Sequence, residues 1–211
     1  MIQTIENQLS GDQLLKANLQ DLVARVVFET ASDAVFHGGT CVWRCYGGNR
    51  FSKDIDIYIF KESSIRKVLN RLVQEGLKVK KDAQMRATLF YTVENSTDIS
   101  LQIKKASIKA IVTPYTLVDG TFMDSHSLSP EVIILEKINA YSDRRLERDM
   151  YDMMILLRSV TQKDLVREPL KAFLTQIKQP KDPGALKDLI YEGLVPTFSE
   201  IVEYIKRWCA L

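Results

Sequence analysis

The chain is poor in the features that mark disulfide-rich, membrane-spanning or strongly charged proteins. Its three cysteines include no Cys-x-x-Cys pair and make no disulfide framework. Cys41 and Cys45 lie four apart and read as buried thiols on one helix face, since no matching His or Cys completes a metal site. The histidines are His37 and His126 alone. No apolar run approaches the ~20 residues that a membrane-crossing helix needs. The N-terminal segment, MIQTIENQLSGDQLLKANL, lacks a basic stretch followed by an apolar one, so no secretory signal is expected. These absences predict a cytoplasmic protein with no membrane partner. There is no internal repeat and no low-complexity segment.

A net charge of +2 does not by itself mark a nucleic-acid binder. The basic residues are nevertheless grouped: Lys78, Lys80 and Lys81; Lys104, Lys105 and Lys109; Arg144, Arg145 and Arg148. Such groups are solvated faces in most proteins and are also compatible with an RNA partner. At 45% hydrophobic and 27% charged residues the composition is that of a globular protein, and 211 residues can bury a real core.

Periodicity divides the chain into two halves. Residues 12–30 predict an amphipathic helix through Leu14, Leu15, Leu19, Leu22, Val23, Val26 and Val27. Ala34 to His37 reads as a buried strand that stops at Gly38-Gly39, and Thr40 as the N-cap of a short helix through Cys45. Gly47-Gly48-Asn49 then breaks that helix. Strands are expected over 55–60, 87–93, 98–103 and 111–118, with a hairpin turn at Asn95-Ser96 and a helix over 63–76. From Ser129-Pro130-Glu131, a helix start, helical patterns follow over 130–142, 144–158, 162–178, 184–193 and 197–209. The expected fold class is α+β: a sheet-bearing half, residues 1–128, followed by a helical bundle, residues 129–211.

The stretch HGGTCVWRCYGGNRFSKDIDIY, from His37 to Tyr58, carries the chemistry. Asp54 and Asp56, two apart on a strand, point to one face. A pair of carboxylates suits Mg2+, which completes its shell with substrate phosphate oxygens. Alone, Asp-x-Asp reads more readily as a solvated strand end with two exposed acids, because the pattern is loose. The Gly38-Gly39-Thr40 turn upstream changes that balance, because a helix N-terminus after a glycine turn offers backbone N–H groups to an anion. His37 either lines that pocket or closes a half-buried strand, and Trp43 and Tyr46 at helical spacing fit a core better than base-stacking platforms. Phe51 fits either role.

These residues resemble the signature of the DNA polymerase β-type nucleotidyltransferase superfamily, a Gly-Gly turn followed by Asp-x-Asp on a strand. The fuller pattern is Gly38-Gly39-Thr40, Tyr46-Gly47, then Arg50-Phe51-Ser52-x-Asp54-Ile55-Asp56. It resembles the AbiEii/AbiGii-type nucleotidyltransferase toxins, a group that includes the MenT enzymes and forms the toxin half of type IV-like toxin–antitoxin systems. The second half adds Leu135-Glu136-Lys137-Ile138-x-Ala140 and Arg148-Asp149-x-Tyr151-Asp152, similar to the family's downstream Lys and Arg-Asp-x-x-Asp motifs. The matching blocks run from about residue 37 to 158.

The resemblance implies a nucleotidyltransferase-like mixed sheet flanked by helices, with the helical half completing an active-site cleft. It implies that Asp54 and Asp56 hold Mg2+ or Mn2+, and that Gly38, Gly39, Thr40, Arg50 and Ser52 bind the NTP. Lys137 would contact phosphate and Asp152 would complete the site, with Asp149 as the neighbouring candidate. On residue chemistry alone, Lys137 also reads as a snorkelling helix lysine, and Asp149 and Asp152 as helix-surface partners of Arg145 and Arg148. Relatives often carry a third carboxylate on a later strand; by register that position falls on Gln102 here, with Asp98 a further candidate on the same face. The activity implied is transfer of an NMP from an NTP to an acceptor hydroxyl, with tRNA or another RNA as acceptor and an antitoxin as protein partner. A small-molecule, antibiotic-type transferase and a catalytically silent nucleotide-binding module are the alternatives.

Overall fold

Alternating burial organises the first half of the chain, and continuous helical burial the second. A computed structural model describes residues 4–210. The chain divides into two compact units: Met1–Cys45 with Phe51–Leu128, and Tyr46–Arg50 with Ser129–Leu211.

The first unit follows a 3-10 turn, Ile5–Asn7, with helix α1 (Gly11–Thr30), strand β1 (Val35–His37), helix α2 (Gly38–Cys45), strand β2 (Asp54–Tyr58) and helix α3 (Glu62–Gln74). Strands β3 (Lys78–Met85), β4 (Thr88–Glu94), β5 (Asp98–Lys104), β6 (Ile111–Thr116) and β7 (Phe122–Ser127) complete it. The seven strands form one mixed sheet in the order β3-β4-β5-β2-β1-β7-β6. β2 runs antiparallel to β1 and parallel to β5.

One face of this sheet is core. Ile55 and Ile57 of β2, Leu89, Tyr91 and Val93 of β4, and Ile99, Leu101 and Ile103 of β5 are all buried on it. Each such aliphatic side chain contributes about 1.5–3 kcal/mol. Helix α3 meets the core through Ile65, Val68 and Leu72, and α1 through residues that include Leu19, Val23 and Val27. The alternate residues, Asp54 and Asp56, Phe90 and Thr92, Ser100 and Gln102, point to the other face and stay partly exposed. Strict alternation makes the register unambiguous, because a slip of one residue would bury the acids and expose the isoleucines.

Two strands escape sequence reading. β3 is almost wholly exposed, so Lys78, Lys80 and Lys81 replace any apolar alternation. Lysines on an edge strand guard it against pairing with other chains. β7, FMDSHS, has only two buried residues, Ser125 and Ser127. Helix α2 starts at Gly38, directly after β1, so Thr40 sits inside its first turn and is not its N-cap.

The second unit holds α4 (Pro130–Arg144), α5 (Glu147–Leu156), α6 (Lys163–Thr175) and α7 (Phe198–Ala210). The helix expected over 184–193 is only a 3-10 turn, Ala185–Asp188, set between left-handed Gly184 and Gly193. The segment Tyr46–Arg50 belongs to this unit: Arg50 bridges Ile190, and the Tyr191 N–H donates to the Asn49 carbonyl at 3.2 Å. Helix α5 is buried nearly all round, yet carries Glu147, Asp149 and Asp152. Buried carboxylates demand partners, and that demand shapes the unit's charge network. Among the described residues no helix is long and apolar enough to cross a membrane.

Candidate active site

The first unit builds a glycine turn against an acidic strand. Antiparallel pairing sets His37 opposite Asp56, and Gly38 follows at once with φ +75°. A Cβ on Gly38 would lie 2.7 Å from the Asp56 carboxyl carbon and 2.8 Å from its Cβ. Only glycine admits both the backbone angle and the approach. The turn therefore lies on the face to which Asp54 and Asp56 point. Helix α2 then begins, and its first N–H groups have no partner inside the helix.

Thr40 fastens the turn to the strand. It is fully buried, and its hydroxyl donates to the Asp54 main-chain carbonyl at 2.5 Å, with the Ser52 carbonyl at 3.2 Å. Expected among the triphosphate holders, Thr40 thus uses its hydroxyl on the protein itself. Buried Gln20 of α1 supports the same loop by donating to the Ser52 carbonyl at 2.8 Å. Nothing in the sequence separates Gln20 from other polar residues of α1. Behind the turn, buried Arg44 of α2 binds Asp21 at 2.5 Å, the Ala17 carbonyl at 3.0 Å and the Thr116 carbonyl at 3.2 Å. Burial raises the Asp21 carboxyl above its ordinary range despite the guanidinium beside it.

Asp54 and Asp56 share a face and are partly exposed, which fits a divalent ion that takes two carboxylates and substrate oxygens. Parallel pairing puts Ser100 beside Asp54 and Gln102 beside Asp56. Gln102 cannot ionise. Asp98 lies on the same face but opposite Glu94 at the exposed start of β5, two residues before Ser100. Among the described residues no group of three or more His, Cys, Asp or Glu is arranged to hold a metal. His37 is half-buried, its ring stacked on Tyr58 at 4.1 Å. Trp43 is core, packed edge-on against Phe51 at 5.4 Å.

The second unit gathers the downstream motif residues into a buried charge cluster. Arg50 grips Asp152 with both arms of its guanidinium, Nε to Oδ1 and a terminal nitrogen to Oδ2, each at 2.6 Å. Lys137 lies 2.5 Å from Asp152 Oδ2 and 3.2 Å from Asp149 Oδ1. Arg144 holds Asp149 through two further bonds of 2.8 and 2.7 Å. Asp149 and Asp152 have no exposed surface, and Arg50 and Lys137 very little. Neither acid is a helix-surface partner of Arg145 or Arg148. Burial pushes the Asp152 carboxyl up, but Arg50 and Lys137 more than offset this and hold it below its ordinary value. The Arg50 guanidinium is correspondingly held charged by Asp152 against its own burial. Arg50, Lys137 and Asp152 are thus brought together, 102 residues apart in sequence at the widest. The cluster carries three cations for two carboxylates, an excess of positive charge.

No curated protein matches the sequence. Among solved structures, JHP933 from Helicobacter pylori superposes with a TM-score of 0.64 at 19% identity, covering 96% of this chain and 92% of that one. A second Helicobacter pylori chain, provisionally named a nucleotidyltransferase, gives 0.64 at 17% identity over 96% of this chain and 95% of its own. At these identities the likeness establishes a shared fold. A sequence profile of the nucleotidyl transferase AbiEii toxins of type IV toxin–antitoxin systems matches residues 20–200. With the profile spanning the glycine turn, the Asp-x-Asp strand and the downstream Lys and Asp motifs, the chain belongs to the AbiEii family of nucleotidyltransferase toxins.

Proposed function

We propose that this AbiEii-family nucleotidyltransferase moves an NMP from an NTP to a hydroxyl of RNA, the 3′ end of tRNA, in a Mg2+- or Mn2+-dependent reaction in the cytoplasm. In this reading the modification arrests growth and a cognate antitoxin counters it. The observation that carries the chemistry is the close approach of Gly38 to Asp56, which brings an anion-binding turn and a carboxylate pair onto one face.

Asp54 and Asp56 would hold the metal ion, and Gly38, Gly39 and the start of α2 would cradle the triphosphate. The bound ion would polarise the phosphoryl group and neutralise charge on the leaving oxygens. The acceptor hydroxyl oxygen bonds to the α-phosphorus, and the bond from that phosphorus to the bridging oxygen breaks. Pyrophosphate leaves with the electron pair, and the hydroxyl proton passes to water. Positioning and electrostatics supply most of the acceleration. Thr40 and Ser52 act as positioning residues through the Asp54 loop. Lys137 contributes positive charge to phosphate, and Asp152 keeps Lys137 and Arg50 in place, with Asp149 seconding it.

The test is transfer of label from each α-labelled NTP to total RNA in the presence of Mg2+, with Asp54→Asn and Asp56→Asn as comparisons. Label on RNA that both substitutions abolish supports the reading. Undiminished transfer by either variant would sink it. Gln102 beside Asp56 motivates the catalytically silent alternative. NTP binding without turnover on RNA or any small acceptor would favour that alternative, and label on aminoglycoside-like acceptors alone would favour an antibiotic-type transferase.

A further inference from the structure

We propose that the open face of β5 and β4 is the acceptor-binding surface, with Phe90 as the platform on which a terminal RNA base stacks. This rests on the reading of Asp54 and Asp56 as the metal site. In-line displacement sets the attacking and leaving oxygens on opposite sides of the phosphorus. The turn assigned to the triphosphate follows β1, which flanks β2 on one side; β5 flanks it on the other. Pyrophosphate held over the β1 side obliges the acceptor to arrive over β5.

The sheet register names what it meets there. Asp56 pairs with Gln102, and Gln102 with Phe90, so the three side chains stand in one row on one face. The adjacent row is Asp54, Ser100, Thr92 and Lys80. On the other side lies the row of Tyr58, Lys104 and Thr88. Strands stand about 4.8 Å apart, so Phe90 lies about 10 Å from Asp56 across the sheet. Phe90 is the one aromatic side chain that β4 turns outward, since Tyr91 faces the core. An aromatic on an open sheet face, flanked by polar residues, is a chemistry for stacking unpaired bases.

Charge agrees with this direction. Between β2 and the edge, the rows containing Phe90 and Thr92 meet one carboxylate, Asp82 of β3, which accepts from the Thr92 hydroxyl at 2.6 Å and lies 3.8 Å from Lys80. Exposed Lys80 and Lys104 outnumber it and flank these rows, with Lys104 also resting on the Tyr58 ring at 5.2 Å. The paired acids Glu94 and Asp98 close one end of the surface, where a phosphate backbone would be repelled. Gln102, between Asp56 and Phe90, offers amide donors and an acceptor to ribose hydroxyls or a base edge.

The experiment measures binding of a tRNA acceptor-stem RNA ending in unpaired nucleotides to the Asp54→Asn chain, and transfer by the otherwise wild-type chain. Phe90→Leu, which keeps apolar bulk without a ring, should weaken RNA binding roughly tenfold and raise KM for RNA equally, with KM for NTP unchanged. Lys80→Glu should weaken binding and flatten its salt dependence. If RNA binds and is labelled, but Phe90→Leu and Lys80→Glu both stay within twofold of the parent, the proposal is overturned. A chain that labels a small acceptor and binds no RNA overturns it too, while leaving nucleotidyl transfer standing.

Discussion

Gly38→Ala tests the central contact most sharply. The substitution forces an L side chain to φ +75°, which costs about 1–2 kcal/mol of stability. It also sets a methyl 2.7 Å from the Asp56 carboxyl carbon, where ordinary contact begins at 3.4 Å. The carboxyl must therefore retreat by about 0.7 Å (3.4 less 2.7), and its nearer oxygen by more. Asp56 sits mid-strand with β1 on one side and β5 on the other, and its Cβ would also be crowded at 2.8 Å, so the side chain must turn and the glycine turn must shift off the strand. A displacement near 1 Å at a reacting centre costs about 100-fold in rate, close to 2.7 kcal/mol. Gly76→Ala is the matched control: its φ is +82°, but a Cβ there meets nothing within 4 Å. Thermal melts should show both variants destabilised by the backbone cost, with Gly38→Ala losing more because of its added clash. Transfer of α-label should fall about 100-fold in Gly38→Ala alone. Activity within threefold of wild type in Gly38→Ala, or equal losses in the two variants, would refute the reasoning.

Four further outcomes are expected. Asp152→Asn should cost about 3–5 kcal/mol in urea titration, because Arg50 and Lys137 are left buried with no full counter-charge; a loss under 1 kcal/mol would contradict the geometry. The Asp152 carboxyl is held below its unfolded value of 3.8, so its contribution is complete above about pH 4 and drains away as pH falls through the lower, folded value. Stability measured from pH 6 to pH 2 should accordingly fall less steeply in Asp152→Asn than in wild type. Thr40→Val keeps shape but strands the Asp54 carbonyl, which predicts a loss of about 1–3 kcal/mol and reduced kcat, read by melting and label transfer. Charge reversal at Lys104 should weaken RNA binding more than reversal at Lys105, because Lys105 is already paired with Glu62; the reverse order in an anisotropy titration would count against the open-face surface.

Legibility in the sequence tracked the strength of alternation. β4 and β5 each put three apolar residues on the core face, and both were readable to within a residue or so. β3 was not, because a guarded edge strand has no buried side to print a pattern. The expected helix over 184–193 failed for a different reason: Gly184 and Gly193 both adopt positive φ, and only one short turn fits between them. At the site, the Gly38-Gly39 turn and the two acids of β2 were plain in the motif. The partnership of Arg50 with Asp152 was not, since a side chain beside a nucleotide-binding motif reads as facing substrate, whereas a buried guanidinium must first satisfy a buried carboxylate. The same applies to Asp149, whose partners are Arg144 and Lys137 rather than Arg145 or Arg148.

The membership of Tyr46–Arg50 in the helical unit has a consequence for biosynthesis. Arg50 leaves the ribosome long before the carboxylate that it needs, which lies 102 residues further along. At ordinary elongation speeds that interval is roughly 5–20 s. Through that time the guanidinium stays in water, and the loop running into the Asp-x-Asp strand lacks its anchor. A fragment ending at Leu128 would carry every residue of the glycine turn and the acidic strand, yet its Arg50 would never find Asp152. An amino-terminal half made alone should therefore behave as an unfinished protein, with a guanidinium that has no buried carboxylate to meet.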